Sequence, residues 1–208
     1  MPSEQVATPS GRRVLVVRHR ESTWNAAKRW AGQADPPLSV AGRADAEVMA
    51  EFIAPFGFAT IVSSDLERAV QTADVVAARL SDAVRYQDSR LREHDVPAWE
   101  GLTRDELESG WPGLYAAWKQ GETNDLPGAE PWPVMETRIL AGLCDAADRP
   151  GPVLVVVHQG VFRVLREALG VERPSRSRGV WLEPDASGAL RTTGTARLRP
   201  AGEVPGGE

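Results

Sequence analysis

The sequence has few of the residues that build disulfides, metal clusters or membrane spans. It contains one cysteine and three histidines in 208 residues. A single thiol cannot form an internal disulfide, and it leaves too few thiols for a zinc cluster. Cys144 lies in an apolar stretch, residues 139–144, which favours a buried helix thiol over a nucleophile. No run approaches the roughly 20 apolar residues of a membrane span.

A net basic charge is also missing. The formal net charge is −5, whereas a nucleic-acid-binding protein usually carries a net basic patch, so we expect no nucleic-acid partner. The first residues, 1–11, are polar and lack the apolar core of a signal peptide. We therefore expect a cytoplasmic protein with no membrane partner.

The chain length fits a single domain. With 42% hydrophobic residues, the sequence can bury an ordinary globular core. Residues 1–11 and 200–208 are rich in proline, glycine and glutamate, which predicts disordered tails. One domain, residues 12–199, remains between them.

Short apolar runs along this domain predict buried strands. They lie at residues 13–17, 60–63 and 153–157, and two further runs at 180–182 and 195–198 predict closing strands. Helical patterns separate them. The alternation of strands and helices predicts an α/β fold, a three-layer α/β/α sandwich with a mostly parallel central sheet.

Three helices can be placed by their starts and apolar faces. A helix that begins at Ser39 is predicted to bury one face, and Asp65 can cap the next helix. A third helix follows residue 158 and ends at Gly170. The apolar positions predicted for the first helix are Val40, Ala44, Val48 and Phe52.

The segment from about residue 90 to 132 differs from the rest. It is rich in tryptophan and lacks a good strand, which predicts a small helical insertion over the carboxyl ends of the strands, where open α/β sheets bind ligands. Trp111, Tyr115 and Trp118 recur at helical spacing, so they form either the core of the insertion or a wall that stacks on substrate.

Histidine and arginine side chains follow the predicted strands. Arg18 and His19 come directly after the first strand, His158 follows the strand at 153–157, and Arg68 lies just beyond the strand at 60–63. The carboxyl ends of such strands open into one crevice. Burying this cluster without an anion would be costly, and a phosphate dianion matches arginine forks well. The residues therefore predict a phosphate site.

The same residues carry a family resemblance. From about residue 14 to 181, the sequence resembles the histidine phosphatase (phosphoglycerate mutase-like) superfamily in its phosphatase branch. The matching blocks are RHRESTWN at 18–25 with Arg29 and Gly32, DPPLS at 35–39 with Gly42, SSDLERAVQTA at 63–73, LRE at 91–93 with WEGL at 99–102, PGAE at 127–130 with Arg138, and VVVHQG at 155–160. Six blocks in order are a strong signal.

The resemblance implies a role for each chemical residue. His19 would attack phosphorus and carry the phosphoryl group as a covalent intermediate. Arg18, Arg68 and His158 would bind the phosphoryl oxygens and stabilise the transition state. Glu93 would protonate the leaving alcohol and then activate water. The implied substrate is a small-molecule phosphate ester, with no metal or other cofactor.

Some assignments leave alternatives open. The resemblance assigns Asn25 and Arg29 to substrate binding, but Asn25 is equally able to cap the first loop. Asp95 competes with Glu93 for the acid–base role. A homodimer is compatible with the fold, although nothing in the sequence argues for it directly.

Three residues stand where the family's phosphatases usually have glycine, namely Arg20, Pro97 and Gln159. Arg20 and Gln159 follow the two histidines, so they either border the phosphate pocket and bind substrate, or Arg20 points into solvent or pairs with an acidic neighbour such as Glu21. In a third interpretation, these changes weaken catalysis and leave a phospho-ligand binding protein.

The acceptor of the phosphoryl group separates two activities. Mutases of this family carry a longer insertion with extra basic residues that hold the substrate. Here the stretch between Glu93 and Pro127 is short, and apart from His94 its positive side chains are Arg104 and Lys119. We therefore expect water as the acceptor, with mutase activity as the alternative.

Overall fold

A computed structural model describes residues 12–80, 82–172 and 174–200 of the chain. The predicted tail residues 1–11 and 201–208 lie outside these ranges. Among the described residues, no helix is both long and apolar enough to cross a membrane.

The core of the molecule is a six-stranded sheet. Its strands are β1 (Val14–Arg18), β2 (Thr60–Ser63), β3 (Val84–Gln87), β4 (Val153–Val157), β5 (Arg178–Pro184) and β6 (Leu190–Arg197), in the order β3-β2-β4-β1-β5-β6. The first four strands of this order are parallel, β5 is antiparallel to β1, and β6 is antiparallel to β5. The predicted mostly parallel sheet is confirmed.

The described residues form seven α-helices around the sheet and in the insertion. They are α1 (Thr23–Ala26), α2 (Val40–Ile53), α3 (Glu67–Ala77), α4 (Arg104–Gly110), α5 (Leu114–Gln120), α6 (Trp132–Ala147) and α7 (Gln159–Leu169). Alternate residues of β1 serve two cores: Leu15 and Val17 pack towards α2 and α3, whereas Val14 and Val16 pack towards α6 and α7. The three-layer sandwich follows from this two-sided burial.

The buried face of α2 differs from the prediction. Val40 is 92% exposed, and the buried positions are Gly42, Ala46, Met49, Ala50 and Ile53. The reason is steric, because a Cβ on Gly42 would lie 2.0 Å from the Glu21 carbonyl oxygen. Small residues let the helix approach the loop that follows β1, and this close packing outweighs the burial of Val40 and Phe52.

One further local prediction was wrong, and one strand was missed. Asp65 does not cap α3, whose N-cap is Leu66; the Asp65 carboxylate instead accepts hydrogen bonds from Arg92 Nε and Nη2 at 2.7 and 2.6 Å. The strand β3 was not predicted, because its four residues are exposed and lack an apolar pattern. It is held as an edge strand by parallel pairing with β2.

The insertion is helical and has a core of its own. It contains the 3₁₀ turn Pro97–Trp99, followed by α4 and α5. Trp99 is fully buried, and Trp30 from the first loop packs edge-on against it with ring centroids 5.0 Å apart. The other members of this aromatic cluster are Trp111, Tyr115 and Trp118. The predicted helical insertion is confirmed, and core packing explains its tryptophans.

Candidate active site

The imidazole of His19 is held with one nitrogen engaged. His19 follows β1, and its backbone N–H donates to the Val157 carbonyl at 2.8 Å, which fixes the residue beside the end of β4. Its Nδ1 lies 2.6 Å from the Arg20 carbonyl oxygen. Because a carbonyl can only accept, we assign the proton to Nδ1. The Nε2 lone pair is therefore the nucleophilic position of the ring.

His19 is kept neutral by its surroundings. The side chain is buried, and this desolvation, followed by the charges of Arg68, His158 and Arg18, holds its pKa well below 6.5. An unprotonated imidazole at neutral pH is the form that attacks phosphorus. The environment thus supplies the reactive state of the ring.

His158 faces the same point from β4. It is the N-cap residue of α7, is fully buried, and its ring centroid lies 5.1 Å from that of His19. Among the described residues, neither of its ring nitrogens has a hydrogen-bond partner. Burial, then Arg68 and Arg18, lowers its pKa well below 6.5. A bound anion would accept a hydrogen bond from the N–H of this ring.

Arg68 brings a buried guanidinium to the two histidines. Its Nη1 donates to the Ala34 carbonyl at 2.8 Å and its Nη2 to the Gly32 carbonyl at 2.7 Å, while its Nε has no hydrogen-bond partner among the described residues. Both bonds tie the guanidinium to the first loop. The orientation of a buried cation is thus set before any ligand binds.

Glu93 lies beside the start of α7. Its Oε1 and Oε2 accept from the Gly160 N–H at 2.9 and 3.1 Å, and Oε1 also accepts from His94 N–H at 2.8 Å. Burial lowers the pKa of Arg68, and the negative charge of Glu93 opposes that shift, so the two side chains interact electrostatically. This geometry favours Glu93 over Asp95 as the carboxylate of the site.

The backbone that carries Glu93 is clamped by Arg138, whose role the sequence did not predict. Arg138 Nη1 donates to the carbonyls of Arg90 and Arg92 at 2.8 and 2.7 Å, and Nη2 donates to the Glu93 carbonyl at 3.1 Å. Glu130 orients the guanidinium from the other side through two bonds of 2.6 Å. The only sequence signal was the eight-residue spacing of the two residues in one family block.

Arg20 does not point into solvent. It is 1% exposed, and its guanidinium donates to the carbonyls of Arg18 and Arg176 at 2.6 and 2.9 Å. Its acidic neighbour is Asp45 at 3.5 Å and not Glu21, whose carboxylate accepts from Ser39. These contacts are with the protein, so a substrate contact by Arg20 stays a prediction.

The other two substitutions for glycine fit their places. Pro97 begins the 3₁₀ turn, where a fixed φ and a missing N–H are tolerated. Gln159 Oε1 accepts from Arg18 Nη1 at 3.0 Å. Gln159 therefore lies beside Arg18, a residue predicted to bind the phosphate group. His94 is buried, and its Nε2 lies 2.8 Å from the Glu130 carbonyl oxygen.

Asn25 takes the capping role that was the alternative to substrate binding, and Arg29 contacts the backbone of the insertion. Asn25 Oδ1 accepts from the Ser22 N–H at 3.1 Å, and Ser22 Oγ accepts in return from the Asn25 N–H at 3.1 Å, which is a capping box at α1. Arg29 donates to the Gly101 carbonyl and so joins the first loop to the insertion. Their part in substrate binding stays a prediction.

The groups that can hold a ligand here are cationic side chains and imidazoles. Among the residues that the structure describes, no three His, Cys, Asp or Glu side chains are grouped as a possible metal site. The cluster of His19, His158, Arg18 and Arg68 is suited instead to an anion with several oxygens.

We expect the free energy of unfolding of the ligand-free protein to fall as the pH is lowered from about 7.5 to about 5.5. The pKa values of His19 and His158 are depressed in the folded state, so below about pH 6.5 the unfolded chain binds protons that the folded chain does not. Each histidine contributes up to about 1.4 kcal/mol per pH unit in this window. Urea titrations of wild type and His158→Gln measure the slope. Equal slopes for the two proteins would contradict the assignment.

Gly160→Ala should remove most of any activity that depends on Glu93. A Cβ at this position would lie 2.0 Å from Glu93 Oε1 and 2.9 Å from Met135 Cε, so the carboxylate must leave its bond to the Gly160 N–H. We expect kcat to fall by about 100-fold. The matched control is Gly110→Ala, whose Cβ would meet nothing within 4 Å. Equal rates for the two variants would show that the position of Glu93 is unimportant.

Comparison with known proteins agrees with this geometry. A family model described as histidine phosphatase superfamily (branch 1) covers residues 14–188. The chain is 34% identical over 170 residues to a glucosyl-3-phosphoglycerate phosphatase of Mycobacterium tuberculosis, covering 76% of this chain and 75% of the relative. It is 34% identical over 152 residues to a probable phosphoglycerate mutase of Salmonella newport, covering 71% and 69%.

Solved structures place the fold in the same group. The mycobacterial glucosyl-3-phosphoglycerate phosphatase in complex with VO3 superposes with a TM-score of 0.76 and 29% identity, over 87% of this chain and 96% of that one. YhfR of Bacillus stearothermophilus superposes with a TM-score of 0.77 and 27% identity, over 88% and 95%. The chain belongs to the histidine phosphatase superfamily, branch 1.

Proposed function

We propose that the protein hydrolyses phosphate monoesters of small metabolites through a phosphohistidine at His19. The observation that carries the proposal is the buried pair of imidazoles beside Arg18 and Arg68. One ring offers a bare Nε2, and the other has two nitrogens without protein partners among the described residues. A phosphoryl group between them would meet a nucleophile on one side and hydrogen-bond donors around it.

In the first step, His19 Nε2 forms a bond to phosphorus while the bond from phosphorus to the alcohol oxygen breaks. The electron pair leaves with the alcohol oxygen, which takes a proton from the carboxylic acid of Glu93. The second ring nitrogen of His19, Nδ1, keeps its proton and donates it in the hydrogen bond to the Arg20 carbonyl. Arg18, Arg68 and His158 stabilise the charge on the phosphoryl oxygens as the bonds exchange.

In the second step, the Glu93 carboxylate takes a proton from water, and the water oxygen attacks phosphorus. The bond between phosphorus and Nε2 breaks, and its electron pair returns to His19. Inorganic phosphate leaves, Glu93 is again protonated, and the enzyme is restored. The two steps together consume one ester and one water molecule and release one alcohol and one phosphate.

Transfer to a second substrate group, as in a mutase, is the alternative. The relatives include both named phosphatases and a probable mutase. The positions of the two basic residues of the insertion favour hydrolysis, because neither contacts a described residue of the candidate site. Lys119 Nζ lies 3.8 Å from Glu108 Oε1 and over the ring of Tyr115, and Arg104 is exposed. These contacts support water as the acceptor. A homodimer stays a prediction.

The test is a phosphate-release screen with sugar phosphates, glycerate phosphates, nucleotides and phosphopeptides, in which His19→Ala is the blank. Wild type should release inorganic phosphate from at least one ester without added metal, and quenched samples should carry acid-labile phosphate on His19. Conversion of one phosphoglycerate to its isomer without phosphate release would establish the mutase. Binding of esters with no turnover on the whole panel would establish a phospho-ligand binding protein.

A further inference from the structure

A second charged cluster lies next to the nucleophile and contains Arg20, Asp45 and Arg199, here called the Arg20 cluster. Arg20 and Arg199 both reach the carboxylate of Asp45, the former at 3.5 Å and the latter through a hydrogen bond from Nη2. Arg20 is 1% and Arg199 7% exposed. Two buried guanidinium groups thus share one carboxylate of α2.

The cluster joins distant parts of the chain to one turn. Asp45 belongs to α2, Arg199 follows β6, and Arg20 Nη1 donates to the carbonyl of Arg176 in the segment before β5. Arg20 Nη2 folds back and donates to the Arg18 carbonyl at 2.6 Å. The side chain therefore braces the turn that contains the nucleophile against α2 and the segment before β5, and Asp45 links it further to Arg199.

The His19 ring contacts the backbone of residue 20, not its side chain. Its carbonyl oxygen accepts from His19 Nδ1 at 2.6 Å, and its N–H donates to Thr72 Oγ1 at 3.1 Å. The Thr72 hydroxyl in turn donates to the Arg68 carbonyl at 2.7 Å. A glycine at this position would have the same backbone groups but none of the side-chain bonds.

From this arrangement we propose that Arg20 is a positioning residue for His19. Its guanidinium bonds the Arg18 carbonyl on one side of His19 and anchors residue 20, whose carbonyl accepts the Nδ1–H hydrogen bond, on the other side, and thereby sets the direction of Nε2. The inference rests on the proposed function for its catalytic consequence, whereas its effect on the ring tautomer is independent of any substrate. It also gives a structural role to a residue that stands where related phosphatases usually have glycine.

The charge balance of the cluster supports a fixed structural role. Burial, then the charges of Arg199 and Arg176, lowers the pKa of Arg20 to about 9, so the guanidinium is still protonated at neutral pH. A buried cation persists when it is paired and hydrogen-bonded, and Asp45 with two carbonyls engages both terminal nitrogens of Arg20, while its Nε has no hydrogen-bond partner among the described residues. Removing the Asp45 charge should loosen the same turn.

The experiment compares wild type with Arg20→Gly, Arg20→Lys and Asp45→Asn. Nitrogen-15 NMR of the His19 ring reports the tautomer, and rapid-quench kinetics report the rate of His19 phosphorylation. The control is Arg13→Met, which removes a partly buried ion pair to Glu183 (2.7 Å) just before β1, away from the nucleophile at its carboxyl end. Thermal unfolding of all variants separates a general loss of stability from a local effect.

In wild type we expect the single tautomer with the proton on Nδ1. Arg20→Gly and Asp45→Asn should mix the tautomers, and Arg20→Gly should slow phosphorylation about tenfold with KM within about twofold. Arg20→Lys should recover part of the rate, since it keeps the charge but cannot bond both carbonyls. Arg13→Met should lose stability only.

Two results would overturn the inference. One is an unchanged tautomer and phosphorylation rate in Arg20→Gly. The other is a rise of KM confined to esters with a second anionic group, which would make Arg20 a substrate contact. If wild type forms no phosphohistidine, the proposed function fails, while the tautomer comparison still decides the role of Arg20. If Arg20→Gly does not fold, Arg20→Lys and Asp45→Asn provide the same readouts.

Discussion

Replacing His19 by alanine should lower kcat/KM by about 10⁴-fold or more on every ester that wild type hydrolyses. The loss follows from the covalent mechanism. The ring of His19 is fixed by the hydrogen bond from Nδ1 to the Arg20 carbonyl, which leaves Nε2 free to attack, and no other described group in the site combines these two features. His158 is not a substitute, because among the described residues neither of its ring nitrogens is anchored by a hydrogen bond. Steady-state phosphate release measures the effect.

The fold should survive this change. The substitution removes a buried imidazole whose pKa is lowered in the folded state, so the unfolding temperature of the variant should fall less than that of wild type as the pH is lowered from about 7.5 to about 5.5. Circular dichroism and thermal unfolding provide that control. A folded His19→Ala variant that keeps more than about one-tenth of the wild-type rate would refute covalent catalysis at His19.

Glu93→Gln should lower kcat/KM, which reports the phosphorylation step, by about 10²- to 10³-fold on alkyl phosphates and much less on p-nitrophenyl phosphate. An alkoxide is a poor leaving group and needs the proton that Glu93 supplies, whereas p-nitrophenolate leaves without one. Glutamine keeps an oxygen that can accept from the Gly160 N–H, so the side chain should stay in place. With p-nitrophenyl phosphate the phosphohistidine should accumulate, because the second step lacks its base.

The matched variant is Asp95→Asn. Asp95 is two residues from Glu93 and competed with it in the sequence, but the structure brings only the Glu93 carboxylate to the Gly160 N–H. Asp95→Asn should keep both the rate and the leaving-group dependence of wild type. If the dependence appears in Asp95→Asn and not in Glu93→Gln, the acid–base role belongs to Asp95.

The parts of the fold that the sequence predicted are those with a local signal. The strands β1, β2 and β4 are short runs of apolar residues, buried in the sheet, and such runs have few other uses. The edge strand β3 has no such run and depends on its pairing with β2. The buried face of α2 was predicted wrongly because the close approach of Gly42 to Glu21 is a tertiary fact.

The candidate site divides in the same way. Arg18, His19 and His158 follow strands, so their convergence could be inferred from the parallel sheet. The environment of Arg20 could not be inferred, since its partners Asp45 and Arg176 are distant in the chain. Arg138 holds the backbone around Glu93 through carbonyl oxygens. Every residue has such an oxygen, so the residue types in the sequence do not show which carbonyls Arg138 binds.

The aromatic cluster of the insertion gives the molecule a built-in optical reporter. Four of the seven tryptophans of the chain lie in this one cluster, namely Trp30, Trp99, Trp111 and Trp118. Trp30 belongs to the first loop, which also supplies the carbonyls that hold Arg68. Any shift of that loop against the insertion changes the surroundings of these indoles. A ligand that moved this loop would therefore change their intrinsic emission in unlabelled protein, without a chromogenic ester.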